Sequence, residues 1–125
     1  MNLLLDTHAF VWAAFEPARL PRRLTGLLLA PGNRIFVSIV SAWEIAILKG
    51  LGRLQPPGDV ADAAAESGFD LLPITLDHCR AYADLPVTGL RDPFDRMIAV
   101  QAMVEGCTVV SRDARLDQYG IGRVW

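Results

Sequence analysis

The sequence predicts an α/β domain with a mainly parallel central sheet. Its apolar runs are short, of strand length rather than helix length. They alternate with stretches of helical character. Pro- and Gly-bearing breaks such as Pro31-Gly32-Asn33 and Pro56-Pro57-Gly58 fall between them.

The first run, Leu3-Leu4-Leu5, is apolar without alternation, as in a strand covered on both faces. A helix is expected over His8 to Phe15, ended by Pro17. A second helix is expected over Pro21 to Leu29, with Pro21 suited to its first turn. Ile35 to Ser38 reads as strand two. Ser41 to Leu51 reads as a helix that, apart from Glu44 and Lys49, is apolar on all sides, which predicts that it is largely buried. Asp59 caps an alanine-rich helix reaching Gly68. Leu71 to Ile74 is a short strand, and Pro73 places it at a sheet edge. Thr75 caps a helix over Leu76 to Asp84. Asp92-Pro93 starts another, which runs to Glu105 and stops at Gly106. Thr108 to Ser111 is a further buried strand. A short helix at Ala114–Gln118 and a last strand at Arg123–Trp125 complete the chain.

At 125 residues the chain has the size of one domain, with a core large enough to need no disulfide or metal staples. The hydrophobic fraction of 52% is high, yet no apolar run approaches the roughly 20 residues of a membrane span. No basic segment leads into an apolar stretch and cleavage site, so a cytoplasmic protein is expected, without membrane association. Cys79 and Cys107 fit no ligand spacing and are read as reduced thiols in or near the core. A net charge of −2 does not advertise nucleic-acid binding, although eleven of the twelve basic residues are arginine.

In parallel sheets, sites lie beyond the carboxyl ends of the strands. Asp6 lies there after strand one, and so does Asp113 after the Thr108–Ser111 strand. Each has a structural reading too. Asp6 suits an N-cap, and Asp113 can start the following helix. Glu44 matches a capping box, Ser41-x-x-Glu44, but stands on an apolar helix directly after strand two. Asp92 is a strong N-cap before Pro93. Asp95 shares a stripe with Ile98, Ala99 and Ala102 and therefore points inward, which helix-dipole stabilisation does not explain. Carboxylates gathered on one sheet edge repel unless a cation compensates them. All-oxygen ligation selects hard ions such as Mg²⁺ or Mn²⁺, which retain water and clamp phosphate. That is the chemistry of phosphodiester hydrolysis.

These motifs together resemble the PIN-domain ribonucleases, in particular the VapC-type toxins of type II toxin–antitoxin pairs. The resemblance rests on Leu5-Asp6-Thr7-His8 with Trp12, on Ser41-Ala42-Trp43-Glu44-Ile45, and on Lys49-Gly50-Leu51-Gly52-Arg53-Leu54. Its most specific piece is Arg91-Asp92-Pro93-Phe94-Asp95-Arg96-Met97-Ile98-Ala99, followed by Gln101-Ala102, and Ser111-Arg112-Asp113 closes it. It implies a three-layer α/β/α sandwich, one nuclease domain over residues 1–125, and an Mg²⁺- or Mn²⁺-dependent endoribonuclease acting on RNA. It also implies a homodimer inhibited by a small antitoxin. By position, Asp6, Glu44 and Asp95 match the family's acidic triad, and Asp113 its fourth acid. All four are therefore expected as catalytic metal ligands, Asp6 and Asp95 directly, Glu44 and Asp113 through water or a second ion. Asp92 belongs to the D-P-x-D variant of the motif and has the better capping role. Ser111 stands where the family often has Thr.

His8 is read as a packing or supporting residue, and Trp12 and Trp43 as core. His78 carries no signal. Arg22, Arg23, Arg53, Arg96 and Arg112 suit RNA phosphates or ordinary salt bridges, with Asp92 in helical reach of Arg96. Rival readings are an inactive PIN-scaffold binding module and an Asp-based phosphotransfer or phosphatase domain. A haloacid-dehalogenase-type phosphatase wants a second Asp where His8 stands. A receiver wants a late lysine, and the only lysine is Lys49.

Overall fold

The computed structural model describes residues 1–125. Its strands are β1 (Asn2–Leu5), β2 (Arg34–Ser38), β3 (Asp70–Leu72), β4 (Thr108–Val110) and β5 (Arg123–Val124). Its helices are α1 (Thr7–Phe15), α2 (Arg22–Leu29), α3 (Ile39–Gly50), α4 (Val60–Glu66), α5 (Leu76–Asp84) and α6 (Pro93–Glu105). Two 3-10 turns, Pro17–Arg19 and Ala114–Tyr119, complete the set. The sheet order is β3-β2-β1-β4-β5, and every pairing is parallel.

β1 is central because its leucines need cover on both faces. Leu3, Leu4 and Leu5 are all fully inaccessible. Leu3 and Leu5 join Phe10 of α1 and Leu24 of α2 in one core. Leu4 joins Ile98 and Ala99 of α6 in the other. Each such leucine contributes about 2 kcal/mol through the area removed from water. The result is the expected α/β/α sandwich. From β1 the chain builds outward to β2 and β3, then returns to the other side for β4 and β5. The order therefore reverses between β1 and β4, and the crevice beyond their carboxyl ends is where such sheets place a site. No helix is long and apolar enough to cross a membrane.

Two expectations for α3 need correction. It starts at Ile39, because β2 runs into it without a loop, and Ser38 is its cap, with Oγ accepting from the Val40 N–H at 3.0 Å. The Ser41–Glu44 capping box therefore does not form. Ser41 is instead buried and accepts a 3.1 Å hydrogen bond from the Thr7 hydroxyl, which ties α3 to α1. Nor is α3 largely buried. It buries Val40, Ser41 and Ile45 and leaves Ile39, Trp43 and Ile47 exposed. Trp43 is thus no core residue, and Cys79, unlike Cys107, is exposed. β3 is the edge strand, as Pro73 requires, but ends at Leu72.

His78, which had no sequence signal, is fully buried and joins α5 to α6. The Thr75 N–H donates to its Nδ1 at 3.0 Å, so Nε2 carries the proton and donates to Glu105 at 2.8 Å. The fold also removes Arg96 from the candidates for RNA contact. Its guanidinium is buried, donates to the carbonyls of Leu85, Pro86 and Leu90 at 2.8 to 3.1 Å, and lies 5.1 Å from the Tyr82 ring. It ties the loop ahead of Asp92 onto α6. Arg96→Met leaves three carbonyls without this donor, and is expected to cost about 2 kcal/mol and lower Tm by roughly 5 to 10 °C in calorimetry. An unchanged Tm would mean that the loop is held by other contacts.

Candidate active site

Asp6 is fixed by both strands of the crevice. It directly follows β1, and its N–H donates to the Val110 carbonyl of β4 at 3.1 Å. Its Oδ1 accepts from the Ala9 N–H at 2.7 Å, so Asp6 caps α1 while standing at the crevice. Asp95 arrives from the first turn of α6. Asp92 supplies the cap there, accepting from the N–H groups of Phe94 (2.9 Å) and Asp95 (3.1 Å), and is itself exposed. This division of labour leaves the Asp95 carboxylate free to face inward. Asp113 follows β4 and starts the 3-10 turn, accepting from the Arg115 N–H at 3.0 Å. It is also paired with the Arg115 guanidinium through both oxygens, at 2.9 and 2.7 Å.

Asp6, Asp95 and Asp113 line one cavity of about 330 Å³. Its remaining wall is basic and aromatic, formed by His8, Trp12, Arg112, Arg115 and Trp125. Glu44 does not line this cavity; it stands on the first half of α3, where its charge still acts on Asp95, next to Trp43, whose ring meets Phe94 edge-on at 5.1 Å. The Glu44 Oε1 is buried and has no hydrogen-bond partner. No three carboxylate, histidine or cysteine side chains are drawn together as a finished coordination cage.

The electrostatics separate the acids. Asp95 is pushed up from 3.8 to about 7, first by burial and then by the charges of Asp92, Glu44, Asp6 and Asp113. Asp6 is raised by burial, offset in part by the Ser111 side chain and the Ala9 N–H, which favour its charged form. Ser111 is fully buried beside it and also accepts from the Asp113 N–H at 3.0 Å. Asp113 is lowered, because the Arg115 guanidinium hydrogen-bonds its charged form. Perturbed carboxyls gathered in one cleft are a feature of functional sites.

Trp125 and the stacking of Arg112 on Trp12 had no sequence signal, because the β1–β4 and β4–β5 pairings bring together residues distant in the chain. A family model for the PIN domain matches residues 3–122. The chain belongs to the PIN domain family. Solved structures similar to this PIN domain include VapBC2 from Rickettsia felis, bound to a DNA fragment from their promoter. That match has 20% identity and a TM-score of 0.74, covering 99% of this chain and 98% of the other. DNA-bound VapBC from Salmonella typhimurium matches at 19% identity and a TM-score of 0.70, covering 99% and 97%. FitAcB from Neisseria gonorrhoeae matches at 20% identity and a TM-score of 0.65, covering 98% and 96%. At these identities the likeness establishes a common fold. Comparison with curated protein sequences gives no match.

Proposed function

We propose that this PIN domain, acting as one unit over residues 1–125, is a metal-dependent endoribonuclease and the toxin of a toxin–antitoxin pair. The observation that supports this is that Asp6, Asp95 and Asp113 line one cavity beyond β1 and β4, with Asp95 pushed up to about 7 by burial and by the charges of Asp92, Glu44, Asp6 and Asp113. The residues fit a hard divalent ion. The donors are all carboxylate oxygens, and the Glu44 Oε1 is a buried acceptor without a partner. Mg²⁺ or Mn²⁺, when bound there, would supply positive charge for a phosphoryl group and an activated water.

The chain's own residues do the rest. Asp6 and Asp95 would hold the ion directly, and Glu44, with its unused oxygen, would hold it through water. Asp113 acts from the rim, where Arg115 holds it. Ser111 and the Ala9 N–H keep the Asp6 carboxylate in place. His8, on the cavity wall, is a supporting group.

Protein partners are supported by two observations. The similar structures are described as VapBC and FitAB assemblies, and α3 exposes Ile39, Trp43 and Ile47, an apolar stripe of the kind that marks protein contacts. The reading is of a homodimer that a small antitoxin covers, in a cytoplasm that keeps both thiols free. The test is cleavage of a mixed RNA by the purified protein. Fragments are expected with Mg²⁺ or Mn²⁺ and none with EDTA. RNA binding without cleavage under any ion would make the chain an inactive binding module instead. Phosphate release from small phosphomonoesters would point to a phosphatase.

A further inference from the structure

The wall facing the acids of the cavity contains one guanidinium with no ionic partner. Of the two arginines there, Arg115 is committed to Asp113. Arg112 has neither an ion pair nor a side-chain hydrogen bond. It is exposed and lies over the Trp12 ring at 5.2 Å. Arg19 lies over the same indole at 4.3 Å, tied to Glu16. Trp125 packs against Trp12 with centroids 5.5 Å apart and planes at 55°. Trp12 is nearly buried beneath these neighbours, so it is a support, while Trp125 remains half-exposed on the cavity wall. A guanidinium stacked on an indole is fixed in place but keeps its N–H edges free. It faces anions, yet the nearby carboxylates do not engage it.

We infer that Arg112 and Trp125 form a nucleotide subsite beside the acids, and this rests on the nuclease reading above. Arg112 holds a phosphate adjoining the one cleaved, and the Trp125 ring takes the neighbouring base. Only an unpaired base offers its face to an indole, so the substrate at this position is single-stranded. Trp12 is a positioning residue that acts through Arg112.

The test is fluorescence anisotropy with a labelled single-stranded RNA of mixed sequence, in EDTA so that binding is read without cleavage. Arg112→Ala is expected to weaken binding about tenfold and to reduce the slope of log K against log salt by roughly 0.7, the value of one phosphate contact on a single strand. Arg112→Lys restores the slope but not the full affinity, because an ammonium does not stack flat. Trp125→Ala weakens binding roughly 5- to 100-fold at an unchanged slope. Duplex RNA is indifferent to Trp125→Ala. In cleavage with Mn²⁺, Arg112→Ala raises KM and leaves kcat near the wild-type value. Wild-type affinity and slope in both Ala variants, with the wild type still cleaving, would overturn the subsite and leave the nuclease reading standing. A wild type that neither binds nor cleaves RNA overturns both. Binding of an acidic peptide that depends on Arg112, with no binding of RNA, would assign this wall to a protein partner and overturn the subsite.

Discussion

Asp95→Asn is expected to abolish RNA cleavage and, in metal-free buffer, to make the protein more stable at neutral and higher pH. The folded state holds the Asp95 proton up to about pH 7, whereas an unperturbed aspartate releases it near 3.8. Between those limits the folded chain binds more protons than the unfolded one, so stability falls as pH rises through that window. Below it the Asp95 contribution is fully present, and above about pH 7 it has been lost. Each pKa unit corresponds to about 1.4 kcal/mol. The carboxylate is partly open to solvent, and screening reduces the sum to on the order of 1 to 2 kcal/mol. Asparagine keeps the size and removes the ionisation. The variant's advantage in Tm should therefore be near zero at about pH 4 and grow to roughly 3 to 8 °C at about pH 8. Cleavage should fall roughly 10³-fold, because a group stabilising charge in the transition state is lost. Asp6→Asn serves as a companion, because asparagine caps a helix about as well as aspartate and should preserve α1 while cleavage is lost. Full cleavage by either variant would remove the acids from the reaction. A Tm difference independent of pH would mean that Asp95 is not strained by its neighbours.

This opposition between stability and site chemistry explains which parts of the sequence were easily read. Leu3-Leu4-Leu5 satisfies strand propensity and burial together, so its meaning was plain, and the caps at Asp59, Thr75 and Asp92 followed from local rules. Asp95 was readable for the opposite reason. An acid on the inward stripe of α6 contradicts the core pattern, and a contradiction of that kind points to function. Ser41 and Glu44 misled because a real local pattern, the capping box, lost to a tertiary fact. β2 passes straight into α3 at Ser38, which moved the cap three residues upstream and freed Glu44. α3 misled because an apolar helix reads as buried whether its cover comes from its own chain or from a partner, and this chain covers Ile39, Trp43 and Ile47 only in part. Arg96 and His78 were illegible because their partners, the Leu85 and Pro86 carbonyls and Glu105, are distant in sequence. Arg115 was paired within two residues, but nothing local distinguishes that bridge from a solvated arginine.

Mg²⁺ or Mn²⁺ is expected to reverse the instability that Asp95 introduces. An ion that binds only the folded state stabilises by RT ln(1 + [L]/Kd), about 2.7 kcal/mol at a hundredfold excess over Kd, or roughly 5 to 10 °C in Tm. The ion competes with protons for carboxylates. Its effect should therefore be large at about pH 8 and small at about pH 5, where Asp95 retains its proton. The direction separates the acids of the site. Asp113, held low by Arg115, is already ionised across this range and gives no slope there; its contribution fades only as pH falls through its lowered pKa. A metal response that grows with pH and is lost in Asp95→Asn therefore assigns the ion to the raised pair, Asp6 and Asp95. Thermal scans with and without the ion, at both pH values and for both proteins, make the comparison. Equal shifts at the two pH values, unchanged by Asp95→Asn, would place the ion on exposed acids such as Asp117 and not at the crevice. The reciprocal result follows from linkage. Because Asp95 must ionise to bind, ion binding should release protons at about pH 6 to 7, and much less at about pH 8, where the carboxyl has already given up its proton.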